Sequence, residues 1–514
     1  MKNIRNITAI LLTAVACLVS SCNKWLDVNS DNEVFADDAF KEASGYRSAL
    51  TGIYKMVASS SLYGQELTWG LKSSLSWNYQ SGYAVPKYRV PLQKGVYEDN
   101  NTLNILESIW TKAYSAIANC NELLAKIETA DPADFEYEWE KDMIMAEARG
   151  LRALLHFEML QLFAPAPVTG YDGPAIPYVS IYPDILPTYL TVSQALDKVI
   201  EDLDYAQKTL QPIDVDEMRN KSSFVSGATR LDNMDYVLFQ GVGNIRTDGG
   251  KRDNAITDGG FFAFRGYRFN YWSATGLLAR AYSYKRDFAT AEKYAATIID
   301  EWVCQYQFNL CATTSVPSNV NQIDAKRRPE PILAFWNDKV TDYYASAVGT
   351  TYNRLVDPKY LFAGDETTDF RYIGLYNSTS YKYRVWDGPD ASAAENATVG
   401  KYSRPLIPVM ELPELYFIRA EKQIQDGDYA GAMATLKIVR DARGCTRVIS
   451  ADSKDAAMEI LVNEAQRDFI QRGTTFTFLK KMDWPVMYNG TPAGATLPEG
   501  WYTLPIPESE KAYY

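Results

Sequence analysis

The chain has 514 residues, 46% apolar, 23% charged and 13% aromatic, a globular composition and not a disordered one. Its formal charge of −12, with 52 basic against 64 acidic residues and no long Lys/Arg run, argues against a nucleic-acid partner. A single histidine, His156, argues against histidine-based catalytic triads and multi-histidine metal sites, so we expect no metal and no cofactor. The 36 tyrosines and 11 tryptophans fit core volume and binding surface equally well.

Residues 1–22 open with Lys2 and Arg5, continue with an apolar run from Ile7 to Val19 and end in Leu18-Val19-Ser20-Ser21-Cys22. The run is short for a mature membrane-spanning helix, and the whole reads as a lipoprotein signal peptide over 1–21, cleaved before Cys22, with that cysteine acylated. Losing Lys2 and Arg5 takes the formal charge from −12 to −14. Several acyl chains on Cys22 would hold the chain on a membrane surface. Residues 23–40 read as an acidic tether. There Asp27, Asn29 and Asp31 alternate like a calcium loop, but Asn32 and Asp38 stand where the loop needs Gly and Glu. Cys120, Cys304, Cys311 and Cys445 remain after processing, without CxxC spacing for zinc. Cys304 could pair with Cys311, but buried thiols are the favoured reading.

Helical periodicity dominates the chain from about residue 101 onward. Leu103, Leu106, Trp110, Ala113, Ile117, Cys120, Leu124 and Ile127 mark one face of a long helix. Residues 142–163 give a second, whose Arg149, Arg152 and His156 need polar partners or the surface. Six prolines make 164–190 an extended connector. Thr191 to Gln194 is a capping box before a helix carrying Val192, Leu196, Val199, Leu203, Ala206 and Leu210. Residues 211–262 read as loop, and Gly241-x-Gly243 as turn chemistry. Residues 271–300 and 411–443 form two helical hairpins, broken near Lys285-Arg286-Asp287 and Asp426-Gly427-Asp428. In each, small residues lie twelve apart, Ala279 with Ala291 and Ala420 with Ala432, which is tetratricopeptide-like spacing. The hairpins are 141 residues apart, which predicts helix pairs interrupted by a large irregular insert at about 301–410 with short β segments such as Ile332–Trp336. A last helix is expected over about 456–470, and an irregular tail from 484. The fold class is mainly α: a helical scaffold over about 40–300 and 411–480, in one unit spanning 22–514.

Taken in order, several motifs resemble one family. They are Trp25-Leu26-Asp27-Val28, Leu50-Thr51-Gly52-Ile53-Tyr54 with Tyr63-Gly64, and Ala148-Arg149-Gly150-Leu151-Arg152-Ala153. Then come Leu277 to Tyr282, Asp287-Phe288-x-x-Ala291, Asp369-x-Arg371, Glu414-Leu415-Tyr416-x-x-Arg419-Ala420-Glu421, Val439-Arg440-x-Ala442-Arg443-Gly444 and Leu504-Pro505-Ile506-Pro507. This set is similar to the SusD/RagB nutrient-uptake lipoproteins of Bacteroidetes. Asn463 to Ile470 is a loose version of the family's Glu-Arg-Arg-x-Glu-Leu helix, and Ala512-Tyr513-Tyr514 stands in place of its Asn- and Pro-rich tail. The resemblance implies a lipid-anchored protein on the outer-membrane cell surface. Such a protein binds an oligosaccharide, or a peptide in RagB-like members, and hands it to a SusC-like TonB-dependent transporter. No catalytic activity is implied. A surface glycosidase would need a framed carboxylate pair, and no motif frames one.

Sugars offer C–H faces to flat rings and hydroxyls to amide and carboxylate groups. Three aromatic clusters suit that chemistry. The first, in the loop over 63–99, holds Trp69, Trp77, Asn78, Tyr79, Tyr83, Tyr88 and Arg89. The second holds Trp336, Asn337, Asp338, Tyr343 and Tyr344. The third holds Tyr381, Tyr383, Arg384 and Trp386. Packing of loops onto the scaffold is the alternative reading for each ring.

Overall fold

In the computed structural model the described residues are 40–79, 95–184, 186–216, 261, 267–301, 308–311, 325–327, 329–347, 355–386, 404–488, 491–492 and 500–511. The signal peptide, Cys22, Asp27, Asn29, Asp31, Tyr83, Tyr88, Arg89, Gly241, Gly243 and Cys304 lie outside them.

The first half is helical: α1 (Ala43–Val57), α2 (Leu71–Leu75), α3 (Asn100–Glu128), α4 (Glu140–Phe163), the strands β1 (Pro174–Pro177) and β2 (Tyr189–Thr191), and α5 (Val192–Gln211). The predicted face of α3 packs inward from Leu106 through Ile127. The capping box forms as expected at the start of α5. The proline-rich connector is not simply extended, because β1 and β2 pair antiparallel within it. Helix α4 is buried nearly all round, so its polar residues need internal partners. Arg152 meets Asp202 with two bonds of 2.8 Å and Asn121 Oδ1 at 2.7 Å, and Arg149 reaches Asp202 at 3.1 Å. His156 Nε2 accepts from Val179 N at 3.0 Å, which leaves Nδ1 to donate to Arg152 O at 2.9 Å. The Gly150 of the Arg-Gly-Leu-Arg motif is required by close approach, since a Cβ there would lie 2.1 Å from the Phe269 ring.

The first hairpin is α6 (Tyr271–Lys285) with α7 (Phe288–Ile299). Then come β3 (Pro331–Trp336), α8 (Val340–Ala347), α9 (Phe370–Ile373), β4 (Tyr376–Asn377), β5 (Lys382–Tyr383) and β6 (Leu406–Glu411). The second hairpin is α10 (Leu412–Gln425) with α11 (Tyr429–Ala442). It is followed by α12 (Lys454–Asp468), α13 (Thr474–Lys481), the strands β7 (Met487–Tyr488) and β8 (Thr491–Pro492), and α14 (Glu508–Lys511). Sequence periodicity finds α12 but passes over α13. The four spaced alanines are all fully buried, where small side chains let paired helices approach. Asp287 and Asp428 cap the second helix of each hairpin through Thr290 N and Gly431 N.

The hairpins are distant in sequence but adjacent in space. Helices α3, α4, α5, α6, α7, α10 and α11 pack each on the next, and α12 closes against α10 and α11. Arg419 of α10 ties the junction by bonding Glu292 at 2.9 Å and Asp300 at 2.7 Å on the α7 side. The stack is therefore continuous, and the insert leaves it and returns. Strands β3 and β6 form the neck, antiparallel from Pro331 opposite Glu411 to Trp336 opposite Leu406.

The insert is clamped back onto the stack by buried ions. Six arginines (Arg327, Arg371, Arg440, Arg443, Arg467, Arg472) meet six carboxylates (Glu330, Asp365, Asp369, Glu411, Glu464, Asp468), all buried. Asp468 binds Arg327 at 2.6 Å, Arg443 at 3.1 Å and Arg371 at 3.2 Å. Arg443 also holds Glu330 at 2.5 Å, and Arg440 holds Asp365 at 2.9 Å and Glu464. Gly444 follows Arg443 at φ +78, and a Cβ there would lie 2.8 Å from Thr368 O. The Asp-x-Arg, Arg-x-x-Arg-Gly and Glu-x-x-Arg-Asp motifs are thus one structure. Cys445 belongs to its edge, its Sγ donating to Asp369 Oδ2 at 3.2 Å. Burial pushes the Cys120 and Cys445 thiols up to about 12, which makes them poor nucleophiles at neutral pH.

Candidate functional site

The three aromatic clusters, chosen separately from sequence, converge on Gln471. Its Nε2 donates to Tyr79 OH at 3.0 Å and Tyr344 OH at 3.4 Å. Its main-chain carbonyl accepts from Trp386 Nε1 at 2.9 Å. Trp69 stands edge-on to Tyr344 with centroids 5.1 Å apart, and its Nε1 donates to Gly64 O at 3.2 Å. Main-chain bonds lace the same segments together, with Val356 N on Asn78 O at 2.9 Å and Leu355 N on Tyr381 O at 2.8 Å.

This convergence corrects part of the expectation. Trp69, Tyr79, Tyr383 and Trp386 are each no more than 1% exposed and offer no ring face to a ligand. They are the floor beneath the surface. The physical reason is that α2, a short buried helix, draws 63–79 into the core, where Lys72 pairs with Glu158 of α4 and Tyr63 OH donates to the same carboxylate at 2.9 Å. The stretch read as open loop is in this part scaffold. Lys326 Nζ lies 3.6 Å from the Trp386 ring centroid and donates to Leu406 O at 2.7 Å, which closes that ring off.

The remaining described candidates are less buried. Trp336 ends the buried strand β3 and is 38% exposed. Asn337 and Asp338 follow it, half-buried and exposed, with Tyr343 half-buried one turn into α8. Asn337 is fixed on both sides, its N donating to Pro405 O at 2.9 Å and its Nδ2 to Ala58 O at 2.7 Å. Trp77 and Asn78 are half-buried, and Trp77 adopts a left-handed φ of 53, a conformation uncommon for a bulky residue. Strain of this kind concentrates at functional positions. Asn78 Oδ1 faces Gln471 N at 3.4 Å. Asn78 thus touches Gln471 of the buried aromatic group, while the Trp336 segment is tied to Pro405 and Ala58. Gln471, itself at φ 57, was missed by sequence reasoning because an amide beside arginines carries no aromatic signal.

A family model described as starch-binding, associating with the outer membrane, matches residues 24–228. Over these residues the chain is similar to the SusD-like family. A SusD-like protein, P25, from Formosa agariphila is 24% identical over 225 residues. That match spans 43% of this chain and 40% of the relative, so the chain covers about two-fifths of that protein's length. A SusD superfamily protein from Bacteroides thetaiotaomicron superposes with a TM-score of 0.64 at 16% identity, covering 93% of this chain and 97% of the other. A SusD-like carbohydrate binding protein from Bacteroides vulgatus gives 0.63 at 16% identity, covering 92% and 96%. The mainly helical architecture of this chain is therefore the fold seen in these solved structures. No helix among the described residues is long and apolar enough to cross a membrane.

Proposed function

We propose that this SusD-like chain is a cell-surface lipoprotein that captures an oligosaccharide on the Trp77–Trp336 face and delivers it to a SusC-like TonB-dependent transporter of the outer membrane. The observation that carries the reading is Trp336, an exposed indole at the end of a buried strand, followed by Asn337 and Asp338. A ring so placed offers a flat face to a sugar, and its neighbours supply hydroxyl partners without having to be ordered first. The family's description as starch-binding supports the ligand class. Cys22 supplies the anchor, and the site binds its ligand without transforming it.

Replacing Trp336 with Ala is expected to weaken the glycan selected by array screening by roughly 1–3 kcal/mol in isothermal titration. Unchanged affinity in a folded variant would move the site elsewhere. Binding of a peptide mixture with no glycan bound would convert the reading to peptide capture. Cys22→Ala is expected to shift the protein from the membrane pellet to the supernatant on fractionation. Firm retention in the pellet would remove the lipid anchor from the proposal.

A further inference from the structure

We propose that a cleft between the connector after α4 and the C-terminal segment is a second binding site, for a short uncharged oligosaccharide, independent of the Trp336 face. The cleft has a volume of about 650 Å³, inside the roughly 300–1,000 Å³ typical of small-molecule sites. Tyr171 and Thr169 line it from the connector, and Asp483, Trp484, Trp501 and Thr503 from the C-terminal segment. None of them belongs to β3, α8 or the segment around Trp77.

Its chemistry selects the ligand. Tyr171 is 41% exposed, with its ring fixed by a 2.9 Å bond from its OH to Pro174 O. Trp484, in the same lining, is half-buried. Two rings at a solvent-facing cleft suit the C–H faces of sugars. Trp501 is 4% exposed, and its indole N–H meets no acceptor among the described residues. A buried donor left unmet costs about 1–3 kcal/mol, and a sugar hydroxyl or ring oxygen would meet it. Asp483, exposed at the rim, accepts from hydroxyls and repels anions. Among the described residues the one cation lining the cleft, Lys480, is already committed: its Nζ donates to Gln161 O and Ala164 O at 2.6 Å each, and to Tyr502 O. Phosphorylated or uronate ligands therefore find no counter-charge in that lining.

The walls are also held in place before any ligand arrives. Leu504 N donates to Leu162 O at 2.9 Å, Tyr97 OH donates to Trp501 O at 2.5 Å, and Tyr502 OH donates to Trp484 O. Asp483 sits at φ 50 where α13 ends, its N on Lys480 O at 3.1 Å and Trp484 N on Leu479 O at 3.0 Å.

The test follows the indole N–H resonances of the Cys22→Ala protein during titration with maltotriose, xylotriose, mannotriose and galactobiose, with glucuronate as the anionic control. Trp501→Phe assigns the Trp501 signal. The expected result is a saturable shift of that signal with at least one neutral saccharide and none with glucuronate. It should persist in Trp336→Ala, and the affinity should weaken about fivefold or more in Asp483→Asn and Trp484→Ala. No shift with any of the four, a shift lost in Trp336→Ala, or a response to glucuronate overturns the proposal. If Trp501→Phe does not fold, the two rim variants still decide, because unchanged affinity in both removes the cleft. Failure here leaves glycan binding at Trp336 untouched, and failure at Trp336 leaves this shift untouched.

Discussion

Asp468→Asn is expected to lower the unfolding free energy by about 3–5 kcal/mol, the cost of leaving a buried charge without its counter-ion. The substitution keeps the shape of the side chain and removes only its charge. Arg327, Arg371 and Arg443 would then share an uncompensated excess in a site where six arginines balance six carboxylates. Burial alone would raise the Asp468 carboxyl, but Arg443, Arg371 and Arg327 outweigh it and hold the group well below the ordinary carboxylate range. Its stabilisation is therefore complete above the unfolded value and fades as pH falls toward the folded one. Urea unfolding at neutral pH, beside the exposed pair variant Lys437→Ala, gives the comparison. The control should change by no more than about 0.5 kcal/mol. A loss below about 1 kcal/mol for Asp468→Asn would mean that the network tolerates an unbalanced centre.

Acid should weaken the fold earlier than this network requires, because of His156. Burial drives its imidazole down to about 3, against roughly 6.5 in an unfolded chain. Unfolding therefore takes up a proton between those values, so stability is full above about 6.5 and declines as pH falls, by at most about 5 kcal/mol. Helix α4 has no route to relieve this. The ring stacks on Tyr178 at 3.9 Å, faces Tyr114, and lies beside the Arg152–Asp202 pair. In His156→Gln the amide oxygen can still accept from Val179 N, and the decline between pH 6.5 and 4 should flatten. Thermal midpoints recorded across that range test this, and parallel curves for the two proteins would refute it.

The helices were legible because period, caps and small residues act locally. Thr191 and Gln194, or Ala279 and Ala291, carry their meaning within one or two turns. The ion network was legible only as motifs. Arg440, Arg443, Glu464 and Arg467 look like solvated helix charges until Asp365 and Asp369 arrive from the insert to bury them. The aromatic clusters were legible as composition but not as burial. Trp69 and Trp336 are alike in composition of surroundings, yet one is sealed by Tyr344 and the other ends a strand at the surface. Nothing within a few residues of either decides that. Trp484 and Trp501 were passed over because the prolines around them read as irregular chain. The cleft they line depends on Lys480 reaching the end of α4, more than 300 residues earlier in the chain.

The neck between β3 and β6 bears on how such a chain can change over generations. Asn337 N bonds Pro405 O, so the path from 338 to 404 starts and finishes at one point, and the clamp at Asp365–Arg371 divides it in two. Each part is a closed excursion with anchored ends. Doubling the length of such an excursion adds only about 0.6 kcal/mol of closure entropy. Longer or shorter stretches there are therefore tolerable at little cost, so long as the helices and the charges that pin the path stay in place.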